Sequence, residues 1–367
     1  MGRAMGRAMV NRMGKRIQSP TRLPNAITRV LSWGYGIGIG FQNRRFDRGI
    51  GVTKLDRPVI SIGNLSAGGT GKTPMVHWIA NELAAMGRHP AIAMRGYKAP
   101  PGEMGDEERE HRQALPGVPV VAQPDRIAGL QRLFETDTHV DCVILDDGFQ
   151  HRQLARDVEI VLIDASSPPY ADALLPRGYL RDPISSLTRA DAVVITHREM
   201  VSDEQLDELV GWIKSKVRGC PVAVASHGWY SAMVYAPDAD GWQGQSRGWQ
   251  GESVPTEQIE PGKVVGVCAI GNPDGFFHSI EQNGWDLVDR LALTDHDPFN
   301  DAAISRLAQL IESSNASALC MTRKDWVKVS ERLPASDRFT VIVPELSFAF
   351  ESGEDALRAL IAEPEES

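Results

Sequence analysis

The chain of 367 residues is long enough to bury a substantial core, and at typical domain sizes it predicts two domains. Its apolar content of 42% and charged content of 24% fit a soluble globular protein. Residues 1–48 carry a charge of +9, which leaves −18 on the remainder of a chain whose net charge is −9. A basic leader on an acidic body disfavours nucleic-acid binding and favours contact with an anionic surface such as a phospholipid leaflet.

The cysteines and the first residues indicate the compartment. The four cysteines are widely spaced and form no C-x-x-C pair, so they suggest no zinc site. Cys142, Cys268 and Cys320 lie in apolar, strand-like runs, which predicts reduced core thiols in a cytosolic protein. Residues 1–24 contain no apolar run of signal-peptide length, so we do not expect secretion. We predict that this stretch is a basic, disordered leader.

The next segment, residues 30–41, alternates glycines with aromatic and aliphatic residues and is followed by Arg44 and Arg45. Its twelve residues are too few to span a bilayer, whereas this composition suits a segment that lies in the membrane interface. The alternate glycines weaken a helix prediction, and the period of two is equally typical of a strand. Ordinary core packing is a further alternative.

A buried strand is predicted at 58–62, and the pattern becomes helical from Thr73. Between them, glycines let the backbone turn and aim its N–H groups at an anion, while Lys72 can reach the outer phosphates and the Thr73 hydroxyl can ligate Mg²⁺. The pattern G-x-x-x-x-G-K-[ST] is met at its end, although Ser66 stands where the first glycine belongs. The sequence therefore predicts a loop that binds a nucleoside triphosphate. Its residues are Ser66, Ala67, Gly68, Gly69, Thr70, Gly71, Lys72, Thr73 and Pro74.

Strands and helices then alternate up to residue 217, with a polar loop predicted at 95–113. This alternation predicts an α/β fold of the P-loop NTPase type, in which helices sandwich a parallel sheet and ligands bind at the carboxyl ends of the strands. We assign 25–220, which includes the segment at 30–41, to this P-loop core. We assign 221–262, which contains a Trp- and Gln-rich insertion, to an extended linker. Renewed alternation predicts a smaller α/β domain at 263–352, and 353–367 is predicted to be a tail.

A second chemical signal is the strand predicted at 140–145, which ends in Asp146 and Asp147. Carboxylates at the carboxyl end of a strand face the phosphate loop and can hold Mg²⁺ directly or through water, as phosphoryl transfer requires. Two adjacent acids followed by Gln150, His151 and Arg152 exceed the needs of one metal ion. We therefore expect part of this run to face the acceptor.

Gly63-Asn64 before the phosphate loop, together with the run from Asp146 to Arg152, closely resembles the tetraacyldisaccharide 4'-kinase family, the lipid A 4'-kinases. The resemblance covers roughly residues 24–345. Further matches follow in the order of the family: Arg95-Gly96-Tyr97, Gly105-Asp106-Glu107, Asp125-Arg126, Arg181-Asp182-Pro183, Gly271-Asn272-Pro273 and Asp295-His296. The resemblance implies transfer of the ATP γ-phosphate, with Mg²⁺, to the 4'-hydroxyl of a tetraacyl glucosamine disaccharide 1-phosphate, which gives lipid IVA. It also implies the cytoplasmic face of a Gram-negative inner membrane, and we predict no obligate protein partner.

The resemblance also assigns roles to individual residues. Asp106 matches the candidate base, and His296 matches a histidine of the smaller domain that pairs with that base. Asp146 and Asp147 match the metal-binding and active-site acids of the family. Asp182 stands where the family usually has Glu. Arg126 and Arg181 match positions suited to neutralising the charge of the phosphates. The predicted catalytic residues are Lys72, Asp106, Arg126, Asp147, Arg181 and His296; the predicted metal ligands are Thr73, Asp146, Asp147 and Asp182; and the predicted glycolipid contacts are Asn64, Tyr97, Gln150, His151 and Arg152.

Two other functions fit parts of the pattern. One is a membrane-associated P-loop ATPase or GTPase-like switch, although residues 322–325 only approach the guanine motif Asn-Lys-x-Asp. The other is a kinase of a different glycolipid or small sugar. Transfer of labelled phosphate to lipid, rather than to water, distinguishes the kinases from the switch.

Overall fold

The computed structural model describes residues 20–21, 23–96, 104–237, 249–270, 273–294, 297–333 and 335–363. By its contacts the chain divides into a first unit, Met1–His227 with Phe348–Ser367, and a second unit, Gly228–Ser347. This division differs from the predicted boundaries, because the second unit begins within the predicted linker and the last residues belong to the first unit.

The first unit is built around a parallel sheet. Its strands are β1 (Val59–Asn64), β2 (Pro90–Met94), β3 (Val120–Ala122), β4 (Cys142–Asp146), β5 (Val158–Asp164), β6 (Ala192–Thr196) and the first part of β7 (Val222–Pro237). They lie in the order β7-β6-β5-β1-β4-β2-β3, and every neighbouring pair is parallel. The predicted parallel sheet is thus confirmed.

Helices cover both faces of this sheet. In the first unit they are α1 (Asn25–Asp47), α2 (Lys72–Ala85), α3 (Asp106–Ala114), α4 (Arg126–Thr136), α5 (Asp203–Lys216) and α9 (Glu354–Ala362). The alternation of side chains along a strand divides β1 between two cores: Ile60 and Ile62 pack with α2, and Val59 packs with Leu130 of α4. Burial on both faces explains the continuous apolar runs in the sequence.

Two predictions in this unit are wrong. The predicted polar loop at 95–113 overlaps α3, which spans residues 106–114, has three acids in its first turn and buries one residue, His111. Within the predicted tail, residues 354–362 form α9, which buries Leu357 and Ile361 in the core around α2. Acids in the first turn stabilise both helices by their interaction with the helix dipole.

Helix α1 resolves the alternatives for the segment at 30–41. The segment is helical, so the strand alternative is wrong, and Val30, Trp33 and Phe41 are 69%, 72% and 66% exposed, so core packing does not account for them. Among the described residues no helix combines the length and the apolar character needed to cross a membrane.

The second unit also contains parallel strands with helices between them. Its elements are the remainder of β7, β8 (Trp249–Pro255), β9 (Lys263–Cys268), α6 (Pro273–Gln282), β10 (Asp286–Ala292), α7 (Asp301–Ser314), β11 (Ala318–Met321), α8 (Arg323–Val329) and most of β12 (Thr340–Ser352). The order β10-β9-β11-β12 is parallel, and β8 pairs antiparallel with β7. Helix α6 packs into one core, and α7 and α8 pack into another. The predicted α/β character of this region is confirmed.

Candidate active site

The phosphate loop joins β1 to α2 as predicted. Gly71 caps α2 with a φ of +80°, in the left-handed region that favours glycine. The loop is tied to neighbouring segments by its backbone, because Ala67 N donates to Tyr179 O at 2.7 Å and Thr70 O accepts from Thr196 Oγ1 at 3.2 Å. Because the loop leads directly into α2, the positive end of the α2 dipole lies beside it. This arrangement binds phosphate.

The acid run is held directly against β1. Asp146 lies opposite Ile62 in the pairing of β4 with β1, and Gly148 N donates to Ile62 O at 2.9 Å. A Cβ on Gly63 would lie 2.5 Å from the Cβ of the fully buried Phe149, so only glycine fits this contact. The acid run therefore packs against the end of β1, directly before the phosphate loop.

Asp147 is the centre of the charged cluster. Arg181 Nη1 donates to Asp147 Oδ2 at 2.8 Å and Arg181 Nη2 donates to Oδ1 at 2.7 Å, while Lys72 Nζ lies 3.7 Å from Oδ1. Asn64 Oδ1 accepts from both cations, at 3.4 Å from Lys72 Nζ. The predicted residues Asn64, Lys72, Asp147 and Arg181 are thus brought together at the ends of β1 and β4.

The electrostatics of Asp147 follow from this geometry. Burial raises its pKa, but the hydrogen bonds from Arg181 and the charges of Lys72, Arg181 and Arg126 outweigh burial and lower the pKa to about 2. The carboxylate is therefore ionised at neutral pH. Its backbone has a φ of +50°, an uncommon value outside glycine, and the bidentate bond to Arg181 holds the side chain in place.

Arg126 donates hydrogen bonds to the backbone of the same turn. It is 3% exposed, and its Nη1 donates to Asp146 O at 3.0 Å and lies 3.5 Å from Asp147 O. The guanidinium thus fixes the backbone of both acids and also lowers the pKa of Asp147. Its predicted catalytic role stays a prediction.

Asp182 is buried among hydrogen-bond donors. Gln150 Nε2 donates at 2.9 Å to both Asp182 Oδ2 and Asn64 O, and Asn43 Nδ2 and Ser186 Oγ each lie 3.4 Å from Asp182 Oδ1. Both carboxylate oxygens are already engaged. The predicted metal ligation by Asp182 would require these bonds to be exchanged.

Asp146 is better prepared for a cation. Its Oδ2 lies 3.2 Å from His111 Nε2, whereas its Oδ1 is buried and has no hydrogen-bond partner. A buried, unpartnered carboxylate oxygen is costly unless a cation or a donor faces it, so the donor set fits Mg²⁺. In the part of the chain that the structure describes, no group of three or more His, Cys, Asp or Glu side chains is placed to hold a metal ion.

The remaining predicted residues are placed as follows. Asp106 is the first residue of α3. Arg152 donates to Asn43 O at 3.0 Å and pairs with Asp47 at 2.7 Å, so it anchors α1, and its predicted contact with glycolipid stays a prediction. Tyr97 and His296 lie outside the described residues.

Several residues of this region were not predicted. Tyr35 OH donates to Arg181 O at 2.9 Å, Asn43 contacts Asp182, and Arg189 Nη2 lies 3.9 Å from Asp182 Oδ1. The contacts of Tyr35 and Asn43 join positions that are 146 and 139 residues apart in the chain. No local pattern in one sequence could have indicated them.

His151 gives a prediction about pH. Burial, followed by the charges of Arg126, Arg156 and Arg95, lowers the pKa of His151 from 6.5 to about 4. Between pH 6.5 and pH 4 the unfolded chain therefore binds a proton that the folded chain does not, and His151 lowers the free energy of unfolding as the pH falls. After screening by solvent we expect roughly 1 kcal/mol, or about 2–4 °C in Tm.

Thermal unfolding measured between pH 6.5 and pH 4 checks this expectation. His151→Gln should lose about 2–4 °C less over this range than the wild type does. His139→Gln is the matched control, because the His139 side chain is 85% exposed. An equal loss in His151→Gln and in the wild type would contradict the prediction.

Comparisons with known proteins agree with this geometry. A sequence model of the family described as tetraacyldisaccharide-1-P 4'-kinase (LpxK) matches residues 25–364. The tetraacyldisaccharide 4'-kinase of Geobacter metallireducens is 34% identical over 327 residues, covering 84% of this chain and 89% of that protein. The one from Chlorobaculum parvum is 30% identical over 361 residues, covering 89% and 92%.

A solved structure supports the same assignment. The crystal structure of the "apo" form of LpxK from Aquifex aeolicus in complex with ATP is 27% identical, with a TM-score of 0.71, and the match covers 93% of this chain and 99% of that one. The family model spans nearly the whole chain. The matched residues include β1, which leads into the phosphate loop, and β4, which leads into the acid run, and these two strands are paired. The chain belongs to the tetraacyldisaccharide-1-P 4'-kinase family.

Proposed function

We propose that this chain transfers the γ-phosphate of ATP to the 4'-hydroxyl of a tetraacyl glucosamine disaccharide 1-phosphate and so forms lipid IVA in lipid A biosynthesis. The observation that carries the proposal is the placement of Lys72, on the phosphate loop, within 3.7 Å of an Asp147 that is clamped by Arg181. Family membership and the names of the relatives support this acceptor.

Phosphoryl transfer depends on positioning and charge neutralisation. The loop from Ser66 to Pro74 binds the phosphates through backbone N–H groups, and Lys72 and Arg181 place positive charge at the ends of β1 and β4. Asp106 accepts the proton of the attacking hydroxyl. The hydroxyl of Thr73 and the free Oδ1 of Asp146 would hold Mg²⁺, which when bound neutralises charge on the outer phosphates.

The acceptor site includes a groove beside α1. The groove has a volume of about 750 Å³ and is lined by apolar residues of α1, among them Trp33 and Phe41, and by Leu174, with Arg29 and Arg177 also in its wall. Acyl chains pack on apolar surface, and guanidinium groups bind phosphate. These features suit an acylated sugar phosphate.

The same helix provides the contact with the membrane. Its exposed apolar residues and the arginines of its last turn, Arg44 and Arg45, are typical of a helix that lies in the interface of an anionic bilayer. We place the protein peripherally on the cytoplasmic face of the inner membrane of a Gram-negative cell, where the glycolipid acceptor would be accessible.

Removal of two exposed rings should weaken binding to vesicles. The double variant Trp33→Ser, Phe41→Ser removes side chains that are 72% and 66% exposed, and we expect at least about a tenfold lower partition coefficient. Cosedimentation with vesicles that contain phosphatidylglycerol measures it. Met200→Ser, at a residue that is 61% exposed on another segment, is the control. Equal cosedimentation of the double variant and the wild type would refute the role of α1.

A transfer assay tests the function itself. Purified protein, γ-labelled ATP, Mg²⁺ and the tetraacyl disaccharide 1-phosphate in mixed micelles should give label in the 4'-phosphorylated lipid. Release of labelled free phosphate without labelled lipid would instead support the ATPase or switch. If the lipid stays unlabelled but another glycolipid or sugar is phosphorylated, the acceptor assignment is wrong although the chemistry is right.

A further inference from the structure

Two histidines form a chain of contacts that ends on Asp146. His77 Nε2 lies 3.1 Å from His111 Nδ1, and His111 Nε2 lies 3.2 Å from Asp146 Oδ2. His111 has no exposed surface, and its ring packs edge-on against that of His77, with centroids 5.1 Å apart. The hydrogen bond between His111 and Asp146 is therefore shielded from water, and the contact between His77 and His111 is partly buried.

The partners assign the proton positions. An ionised carboxylate only accepts hydrogen bonds, so His111 Nε2 must carry a proton toward Asp146. In neutral His111 the Nδ1 atom is then an acceptor, and His77 Nε2–H donates to it. The contacts form one directed chain from His77 through His111 to Asp146.

These hydrogen bonds give the two Asp146 oxygens different roles. Oδ2 receives the hydrogen bond from His111, and Oδ1 stays buried without a partner. Because a carboxylate rotates as a unit, fixing Oδ2 also fixes the direction of Oδ1. The free oxygen belongs to the last residue of β4, which pairs with Ile62 of β1, four residues before the phosphate loop begins.

The contacts from His77 through His111 to Asp146 also connect three elements of the site. His77 is on α2, four residues after Thr73 and so on the same face of the helix. His111 is on α3, whose first residue is Asp106. Asp146 ends β4. One pair of side chains thus connects the helix of the phosphate loop, the helix of the candidate base and the metal-binding strand.

We propose that His111, held by His77, is a positioning residue that orients Asp146 for Mg²⁺. The inference rests on the proposed function in its choice of metal and nucleotide. Groups that orient a metal-binding carboxylate or histidine typically change metal affinity about 10–100-fold when removed. His111 itself touches neither nucleotide nor acceptor in this scheme and acts through Asp146.

The test measures metal binding apart from turnover. Mn²⁺ binding to the full chain with a non-hydrolysable ATP analogue is followed by electron paramagnetic resonance for the wild type, His111→Leu and His111→Gln. His111→Leu removes the donor to Asp146, and we expect about 10–100-fold weaker Mn²⁺ binding. His111→Gln places an amide N–H near the position of Nε2, and we expect it to restore most of the affinity.

Two further variants separate positioning from folding. His77→Phe keeps an aromatic ring against His111 but removes the hydrogen-bond donor, and we expect a smaller loss of Mn²⁺ affinity than in His111→Leu. His139→Gln, at an exposed histidine, should bind Mn²⁺ as the wild type does. Thermal unfolding of each variant shows whether it is folded.

Two results would overturn the inference: unchanged Mn²⁺ affinity in folded His111→Leu, or equal losses of affinity and Tm in His111→Leu and His111→Gln. The second result would mark His111 as structural. Failure of the proposed function appears elsewhere, as absence of lipid labelling by a wild type that still binds Mn²⁺ with the nucleotide. The two failures are therefore distinguishable.

Discussion

Replacing Lys72 with methionine is expected to lower kcat for phosphate transfer about 10²–10³-fold, the typical effect of removing one group that stabilises transition-state charge. Lys72 begins α2, and its Nζ lies 3.4 Å from Asn64 Oδ1 and 3.7 Å from Asp147 Oδ1. Methionine keeps a straight side chain but carries no charge. The variant therefore removes the cation beside the phosphate loop and little else.

The fold should survive this change. Arg181 still makes both hydrogen bonds to Asp147, so loss of Lys72 removes only one of the cations that lower the pKa of that carboxyl. The pKa of Asp147 should rise, yet the side chain remains paired. Circular dichroism and thermal unfolding should therefore show a folded protein.

Initial rates of lipid labelling measure the effect, together with binding of a fluorescent ATP analogue. The control is Lys214→Met, which changes an exposed lysine in the last turn of α5. If Lys72→Met transferred phosphate at the rate of Lys214→Met, the loop at 66–74 would not be the site where the γ-phosphate reacts.

The phosphate loop and the acid run could be predicted because each is a local pattern. A strand, a glycine-rich turn and a helix follow one another within a few residues, and the apolar run of β4 ends directly in Asp146. That the two meet also follows from the sequence, since the carboxyl ends of parallel strands share one edge of a sheet. In the structure, Gly63 at the end of β1 packs closely on Phe149 of the acid run.

Helix α1 shows why other segments were ambiguous. Alternate glycines leave its local preference unresolved between helix and strand. The helix is fixed instead by contacts with distant residues: Ser32 Oγ donates to Leu174 O at 2.9 Å, Tyr35 OH donates to Arg181 O at 2.9 Å, and Asn43 contacts Asp182. Such contacts override propensity and cannot be read from spacing.

Helix α3 shows the same limit within the site. Its residues are mostly charged, so the sequence has no helical spacing of apolar residues that would predict a helix here. His111 is the one residue that this helix buries. Burial of a histidine is favourable here because Asp146 and His77 satisfy both ring nitrogens. Those partners lie 35 and 34 residues away, and only the fold brings them together.

Replacing Asp106 with asparagine is expected to have the largest effect on turnover, a fall in kcat of about 10²–10⁴-fold. As the first residue of α3, Asp106 is carried by a helix that His111 fixes to Asp146, the acid of the proposed metal site. A carboxylate in this place can take the proton of the attacking sugar hydroxyl, and a neutral amide cannot. Because the nucleotide is held by the phosphate loop, the KM for ATP should stay near its wild-type value.

Steady-state lipid labelling at varied ATP separates these parameters. Glu108→Gln on the same helix is the matched control, since it removes a carboxylate that pairs with Arg112 through a hydrogen bond of 3.0 Å. That pair contributes only about 0.3–0.5 kcal/mol, and both variants lose an acid from the first turn of α3. Equal activity of the two variants would show that charge on α3 is structural. A fall confined to Asp106→Asn, without loss of ATP binding, would assign proton transfer to Asp106 at the start of α3.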